Sequence, residues 1–181
     1  MSRIQAACQG IRRVPSGGIG ECRTSKLNSR NMSLSVYQPS TQASSAHTLM
    51  TTLNIPQDPL SAHLWIVAGV APGIIHRLAE LMNTDSGLIC RLVSISRHTV
   101  ARKLRIGAPL SISQGARVYG VVQALEAVLF LHRNNTARAL SWLHRPAWGL
   151  GGKRPAEVLS TALGAQAVIV LVGRIQHGVC T

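Results

Sequence analysis

Apolar residues recur every three or four positions from Pro59 onward, which is the period of an amphipathic α-helix. Leu60, Leu64 and Val67 share one face of a first predicted helix, and we expect that face to be buried. Pro72 fits the first turn of a second helix, because a missing N–H costs nothing there.

Residues that start or end helices divide the rest of the chain. The predicted starts are Thr84 or Asp85, Ser96, Ser111 or Ser113, Thr136, Pro155 and Ala165; the predicted ends are Gly107, His132, Pro146, Gly164 and Gly178. A strand-like composition occurs only at residues 167–172. The predicted fold class is therefore all-α.

Residues 1–57 differ from the remainder. They are rich in serine, threonine and arginine, hold one acid, Glu21, and show neither a helical nor a strand period. This composition predicts a disordered basic extension. A transit peptide has a similar composition and stays an alternative. The predicted organisation is an extension over 1–57, a DNA-binding domain over 58–132 and a small helical domain over 133–181.

Charge changes the range of plausible functions. The chain of 181 residues has 19 Lys and Arg against 6 Asp and Glu, a formal charge of +13. Such a balance favours nucleic acid or an acidic partner, and the scattered acids offer no catalytic carboxylate pair. Aromatic residues are 3%, which argues against stacking on single strands. We therefore expect a protein that is not an enzyme.

Cysteine and histidine positions indicate no metal site. The four cysteines lie far apart and no histidine pair has ligand spacing, so we expect no metal, no other cofactor and free thiols in a reducing compartment. No apolar run approaches the ~20 residues of a membrane helix. The expected location is the cytoplasm, with no membrane contact.

Residues 88–104 have the pattern of a helix-turn-helix. Cys90 supplies the small residue at the helix crossing and Ile95 the apolar plug of the turn. Ser96, Val100 and Leu104 supply the start and the anchors of the second helix. The turn position that is usually glycine is Ser94, for which a positive φ is costly, so we expect a different turn geometry.

The second helix has a polar and basic face. Between Ser96 and Gly107 there are four basic residues and no acid. The residues expected to approach base edges are Arg97, Thr99 and Arg102, and those expected to contact phosphates are Ser96, Lys103 and Arg105. A solvated basic face on an ordinary helical packing is the alternative.

The C-terminal block has a specific order of residues. It contains Trp142-Leu143, Pro146, Leu150, Gly152, Pro155, Leu159, Thr161 and Gly164, and closes with Gly173-Arg174-Ile175-Gln176-His177-Gly178. This order resembles the antitoxins of the Xre/MbcA/ParS group, over about residues 60 to 181. Ser96 to Leu104 also resembles the recognition helix of that group, with Arg102-Lys103-Leu104 in place of a frequent R-R-L.

The resemblance implies an antitoxin of a toxin-antitoxin system. Its helix-turn-helix would bind double-stranded operator DNA and repress its own operon, and its C-terminal domain would bind a RES-domain toxin that consumes NAD. It places Arg174, His177 and the terminal residues Val179, Cys180 and Thr181 nearest the toxin's active site.

The individual residues, taken without the resemblance, also allow other interpretations of their roles. Trp148 lies next to a glycine loop, so we expect an exposed partner anchor, whereas Trp142 and Leu143 are expected in the core. Arg174 and His177 are also explained by their position near a helix C-terminus, where basic side chains are favourable. The rival function is a stand-alone transcriptional regulator whose C-terminal domain only dimerises. Under either function we expect a homodimer that is nucleoid-associated when bound to DNA.

Overall fold

A computed structural model of the chain describes residues 48–179. Predictions for residues 1–47, and for Cys180 and Thr181, lie outside the described residues. The described part contains nine α-helices and no strand, which confirms the all-α fold class. They are α1 (Leu49–Thr52), α2 (Pro59–Ala68), α3 (Ile74–Leu81), α4 (Ser86–Val93), α5 (Arg97–Ile106), α6 (Ile112–Leu131), α7 (Thr136–Leu143), α8 (Pro155–Val158) and α9 (Ala162–Gln176), with a 3₁₀ turn at Trp148–Leu150. Within residues 48–179 no helix is long and apolar enough to cross a membrane.

Side-chain caps set several helix starts where the sequence predicts them. Ser96 caps α5, and Ser111 caps α6 in a reciprocal capping box with Gln114. For α7 the cap is Asn135 and not Thr136, because the Asn135 side chain accepts the Arg138 N–H at 2.9 Å. Local hydrogen bonding thus defines these boundaries to within a residue.

Residues 48–57, which the structure describes, already contribute to the folded core. Within the predicted extension, Leu49, Met50, Leu53 and Ile55 are buried, and α1 packs against α6. These side chains show no helical or strand period because the segment is a single turn followed by an irregular stretch. The predicted end of the extension at residue 57 therefore lies too far toward the C-terminus.

Helix α6 lies at the centre of the core. Its buried residues lie on several sides of the helix: Val118, Val121, Val122, Ala124, Leu125, Val128 and Leu129. It packs against α1, α2, α4 and α7, and most extensively against α9. The predicted domains 58–132 and 133–181 therefore share one hydrophobic core through this helix.

Helix α2 buries a different face from the expected one. Leu60, Leu64 and Val67 are exposed, while Ala62 is buried and Ile66 packs toward Gly115 of α6. The helix is apolar around most of its circumference, so residue spacing could not select a face. The missing side chain at Gly115 selects it instead, because it lets α2 approach α6 closely.

Gly164 does not end a helix, contrary to the sequence expectation. It lies in the first turn of α9, where its N–H donates to Thr161 Oγ1 at 3.0 Å. A Cβ at this position would overlap the carbonyl oxygen of Val158 at the end of α8. The glycine permits this close approach, and the strand-like residues 167–172 continue within one helix.

Gly164→Ala should lower the free energy of unfolding by about 1–3 kcal/mol, because the methyl group meets backbone that cannot rotate away. Gly173→Ala, in the same helix, is the matched control, since nothing lies within 4 Å of its Cβ position. We expect it to stabilise the protein by about 0.5–1 kcal/mol. Urea denaturation of both variants measures the difference, and equal stabilities would contradict the packing described here.

Candidate functional site

The turn between α4 and α5 adopts a left-handed conformation at Ser94, with φ 54° and ψ 44°. The expectation of a different turn geometry is therefore wrong. Hydrogen bonds hold the serine there: the Ile95 N–H donates to Cys90 O at 3.0 Å, and Arg117 Nη1 donates to Ser94 O at 3.0 Å. These bonds offset the conformational cost that glycine would avoid.

Small and apolar side chains fill the junction of the two helices. Cys90 and Ile95 are both buried, as the sequence predicts. The Arg97 guanidinium lies over Gly87, so a Cβ at position 87 would make this exposed side chain move. Burial raises the pKa of the Cys90 thiol, which keeps it neutral and suits a packing role.

Four of the six residues predicted to contact DNA make hydrogen bonds within the protein, and three of these four lie at the start of α5. Ser96 Oγ accepts the Thr99 N–H at 3.1 Å, and the two hydroxyl oxygens are 2.8 Å apart. Arg97 forms an ion pair with Asp85, and both side chains remain mostly exposed. These contacts fix the start of α5 relative to α4.

Lys103 fixes the other end of α5. Its Nζ donates to the Pro109 carbonyl at 2.6 Å, in the loop that follows the helix. The same loop is hydrogen-bonded to the segment that follows α2, because the Leu110 N–H donates to Val70 O at 2.8 Å. The ammonium group of Lys103 is thus engaged with the protein's own backbone.

The exposed cations of α5 lie on one face. Arg102 and Arg105 make no hydrogen bond or ion pair with any other residue of the described part, and His98 lies between them around the helix. Their positions span roughly 60° at 100° per residue. His98 was missed as a candidate, although its place on this face follows from the same spacing.

Val100 is the residue of α5 that is buried, and the predicted anchor Leu104 is exposed together with Ile106. The sequence predicted both Val100 and Leu104 as anchors, and the structure confirms this for Val100 alone. The polar contacts of Arg97 and Lys103 lie on the Val100 side. Helix α5 is therefore held by one apolar side chain and two polar ones.

The C-terminal part presents exposed apolar residues. Trp148 lies on the 3₁₀ turn and is 88% exposed, as the sequence predicts. Leu143 is buried, and Trp142 is half-buried against His132 with ring centroids 6.2 Å apart. The two tryptophans thus separate into one core residue and one surface residue.

One face of α9 forms an exposed stripe, which we call the α9 stripe. Its residues recur at the spacing of a single helix face: Leu163, Ala167, Val170, Arg174 and the capping residue His177. They fall within roughly 40° of one line along the helix. Leu163 is 86% exposed. Sequence reasoning found Arg174 and His177 as candidates and missed Leu163 and Val170.

The chain turns away from α9 at Gly178, where φ is 68°. The Val179 N–H then donates to Arg174 O at 3.0 Å, and the Val179 side chain is exposed. Val179 therefore lies at the end of the α9 stripe, beside Arg174. Cys180 and Thr181 lie outside the described residues.

Comparisons with known proteins agree with the resemblance stated above. Residues 124–178 match the family described as the antitoxin Xre/MbcA/ParS C-terminal toxin-binding domain. The chain is 26% identical over 146 residues to a protein named Antitoxin Xre from Photorhabdus laumondii, covering 80% of this chain and 97% of that protein. It is 29% identical over 105 residues to an Antitoxin Xre from Yersinia enterocolitica, covering 58% and 69%.

The matched segment contains the exposed features of the C-terminal part. Residues 124–178 begin within α6 and include Trp148 and the whole α9 stripe. The expected resemblance to the Xre/MbcA/ParS group is thereby confirmed.

Proposed function

We propose that this chain, an Xre/MbcA/ParS-type antitoxin with a C-terminal toxin-binding domain, neutralises a RES-type, NAD-consuming toxin and represses its own operon. The observation that carries the proposal is the toxin-binding family match at residues 124–178, and the arrangement of α4 and α5 is consistent with a helix-turn-helix. The protein acts by binding and not by catalysis, in the cytoplasm and, with its operator, at the nucleoid.

The α9 stripe, Trp148 and Val179 together form the toxin-binding surface in this proposal. Leu163, Val170 and Trp148 are large apolar side chains exposed on a domain whose core is otherwise well packed. Exposed apolar side chains with an arginine among them are typical of protein interfaces. Arg174 and His177 follow Leu163 and Val170 along the stripe, so the tail with Cys180 and Thr181 reaches the toxin next to them.

The exposed face of α5 is the DNA-reading surface. Arg102 approaches base edges, and Arg105 contacts phosphate, because both guanidinium groups are exposed and held by no other residue of the described part. Ser96, Arg97, Thr99 and Lys103 hold the helix, and we infer that they reach DNA only at its edges. Arg97 would do so by exchanging the Asp85 carboxylate for a base or a phosphate.

A homodimer would use the exposed stripe of α2, formed by Leu60, Leu64 and Val67. Among the described helices of eight residues or more, α2 is the one with no Asp, Glu, Lys or Arg. Two copies of a strongly basic chain meet there with the least like-charge repulsion. The loop after α5 is hydrogen-bonded to Val70, so pairing through α2 would fix the distance between two recognition helices.

Toxin neutralisation is tested by co-expression with the adjacent reading frame, following growth and cellular NAD. Val170→Glu should reduce toxin affinity tenfold or more and abolish rescue, because it places a charge within the apolar stripe. Arg138→Glu, a change at an exposed arginine of α7, is the control and should rescue growth as the unchanged protein does.

Rescue by a folded Val170→Glu protein would exclude the α9 stripe as the toxin-binding surface. If the adjacent frame is not toxic, or if the unchanged protein fails to rescue growth, the stand-alone regulator becomes the better function.

Arg102→Ala should weaken binding to the operator by about 1–3 kcal/mol and weaken binding to random DNA less, because it removes a base contact. Arg105→Ala should reduce the salt dependence of binding by about one unit on both DNAs. Lys103→Ala should leave that slope unchanged, since the Lys103 ammonium bonds to Pro109 O. Titrations at several salt concentrations separate the three, and a slope change for Lys103→Ala equal to that for Arg105→Ala would contradict its assignment.

Leu64→Glu should convert the dimer to a monomer, because two carboxylates would face each other across the α2 stripe. His63→Glu is the control, about 100° around the same helix and also exposed. Sedimentation equilibrium gives the mass of each variant. Dimers of unchanged stability for both variants would place the dimer contact elsewhere.

A further inference from the structure

A basic loop connects α7 with α8, over residues 144–154. It carries His144, Arg145, Lys153 and Arg154, all exposed, and no acid. Two backbone hydrogen bonds bring its two ends together: the Ala147 N–H donates to Lys153 O at 3.1 Å, and the Gly152 N–H donates to Ala147 O at 3.0 Å. The backbone at the two ends of the loop is therefore close together, although Lys153 comes eight positions after Arg145.

The loop lies against the first helix of the helix-turn-helix. His144 and Arg154 line one small cleft with Leu88, Arg91 and Leu92 of α4. The cleft has a volume of about 210 Å³. The C-terminal part thus places positive charge directly beside the element that positions the recognition helix.

Positive charge also continues from α5 to this cleft. The Arg97 guanidinium lies over Gly87 of α4, and Arg91 lies one turn further along the same helix face. Arg91 in turn lines the cleft with Arg154. Arg91 therefore lies on α4 between Gly87, which Arg97 covers, and the cleft that Arg154 lines.

Two acids lie near these cations, and neither neutralises them fully. Asp85 pairs with Arg97, at the far end from the loop. Glu157 lines the cleft, and its Oε1 lies 4.0 Å from Arg154 Nη1, with both side chains more than half exposed. Such an exposed pair is weak, so Arg154 can exchange Glu157 for a phosphate at little cost.

We propose that the 144–154 loop binds DNA phosphates next to the recognition helix, so that the toxin-binding part of the chain enlarges the DNA footprint. This inference rests on the proposed function, in which α5 enters the major groove. The first helix of a helix-turn-helix crosses the DNA backbone, which places groups attached to that helix near phosphate. Lysine and arginine side chains there add affinity without sequence preference.

The test uses the full chain and the double variant Lys153→Gln/Arg154→Gln. The control is Arg133→Gln/Arg138→Gln, which removes the same charge from two exposed arginines that lie outside the cleft. Binding is measured on operator and on random DNA at several salt concentrations. The loop variant should lower the salt slope by about two units on both DNAs, and the control should leave it unchanged.

An unchanged slope for the loop variant would overturn the proposal, and so would an equal loss in the control, which would show only a net-charge effect. If the loop variant binds DNA normally but fails to neutralise the toxin, the loop belongs to the protein interface and the proposal is wrong. Failure of the unchanged protein to bind any DNA would remove the proposed function together with this inference. The substitutions spare the backbone hydrogen bonds of the loop, and circular dichroism checks the fold.

Discussion

The packing of α6 is the constraint on which the rest of the structure depends. Two glycines on this helix set the approach of its neighbours: α2 packs at Gly115, and the Ala165 methyl of α9 lies 3.2 Å from a Cβ position at Gly120. Between them, Arg117 donates to the carbonyl of Ser94 and holds the turn before the recognition helix. One helix therefore positions α2, the turn between α4 and α5, and the helix that carries the α9 stripe.

Helix α5 needs this support because few of its side chains are buried. Val100 is its buried side chain, and burial of one valine contributes about 1.5–3 kcal/mol. The Arg97–Asp85 ion pair at its start and the Lys103 bond to Pro109 at its end supply the remaining orientation. In the sequence, basic residues at these two positions resemble DNA contacts. In the structure, Arg97 and Lys103 support helix α5 itself.

The sequence predicted those features that depend on neighbouring residues. Ser96 and Ser111 cap the expected helices, and the residue order from Trp142 to Gly178 identified the C-terminal domain. It failed where a contact from another segment of the chain decides the local conformation. Nothing near Gly164 in the chain shows that Val158 O packs against it, and nothing near Ser94 shows that Arg117 will hold its carbonyl. The face of α2 with Leu60, Leu64 and Val67 was expected in the core because spacing measures amphipathicity and not the presence of a partner.

The 144–154 loop belongs to both candidate surfaces, since it carries Trp148 as well as four basic residues. A toxin that fits this loop presents acidic groups to it, and those groups would then lie beside the helix-turn-helix. Negative charge there would repel DNA phosphate, so under the proposed function toxin and DNA binding would oppose each other at this loop even without a helix movement. By reciprocity, DNA must weaken toxin binding by the same factor. A titration of operator DNA with and without the toxin gives the sign of this coupling directly, and a gain in affinity would mean that the toxin itself adds contacts to DNA.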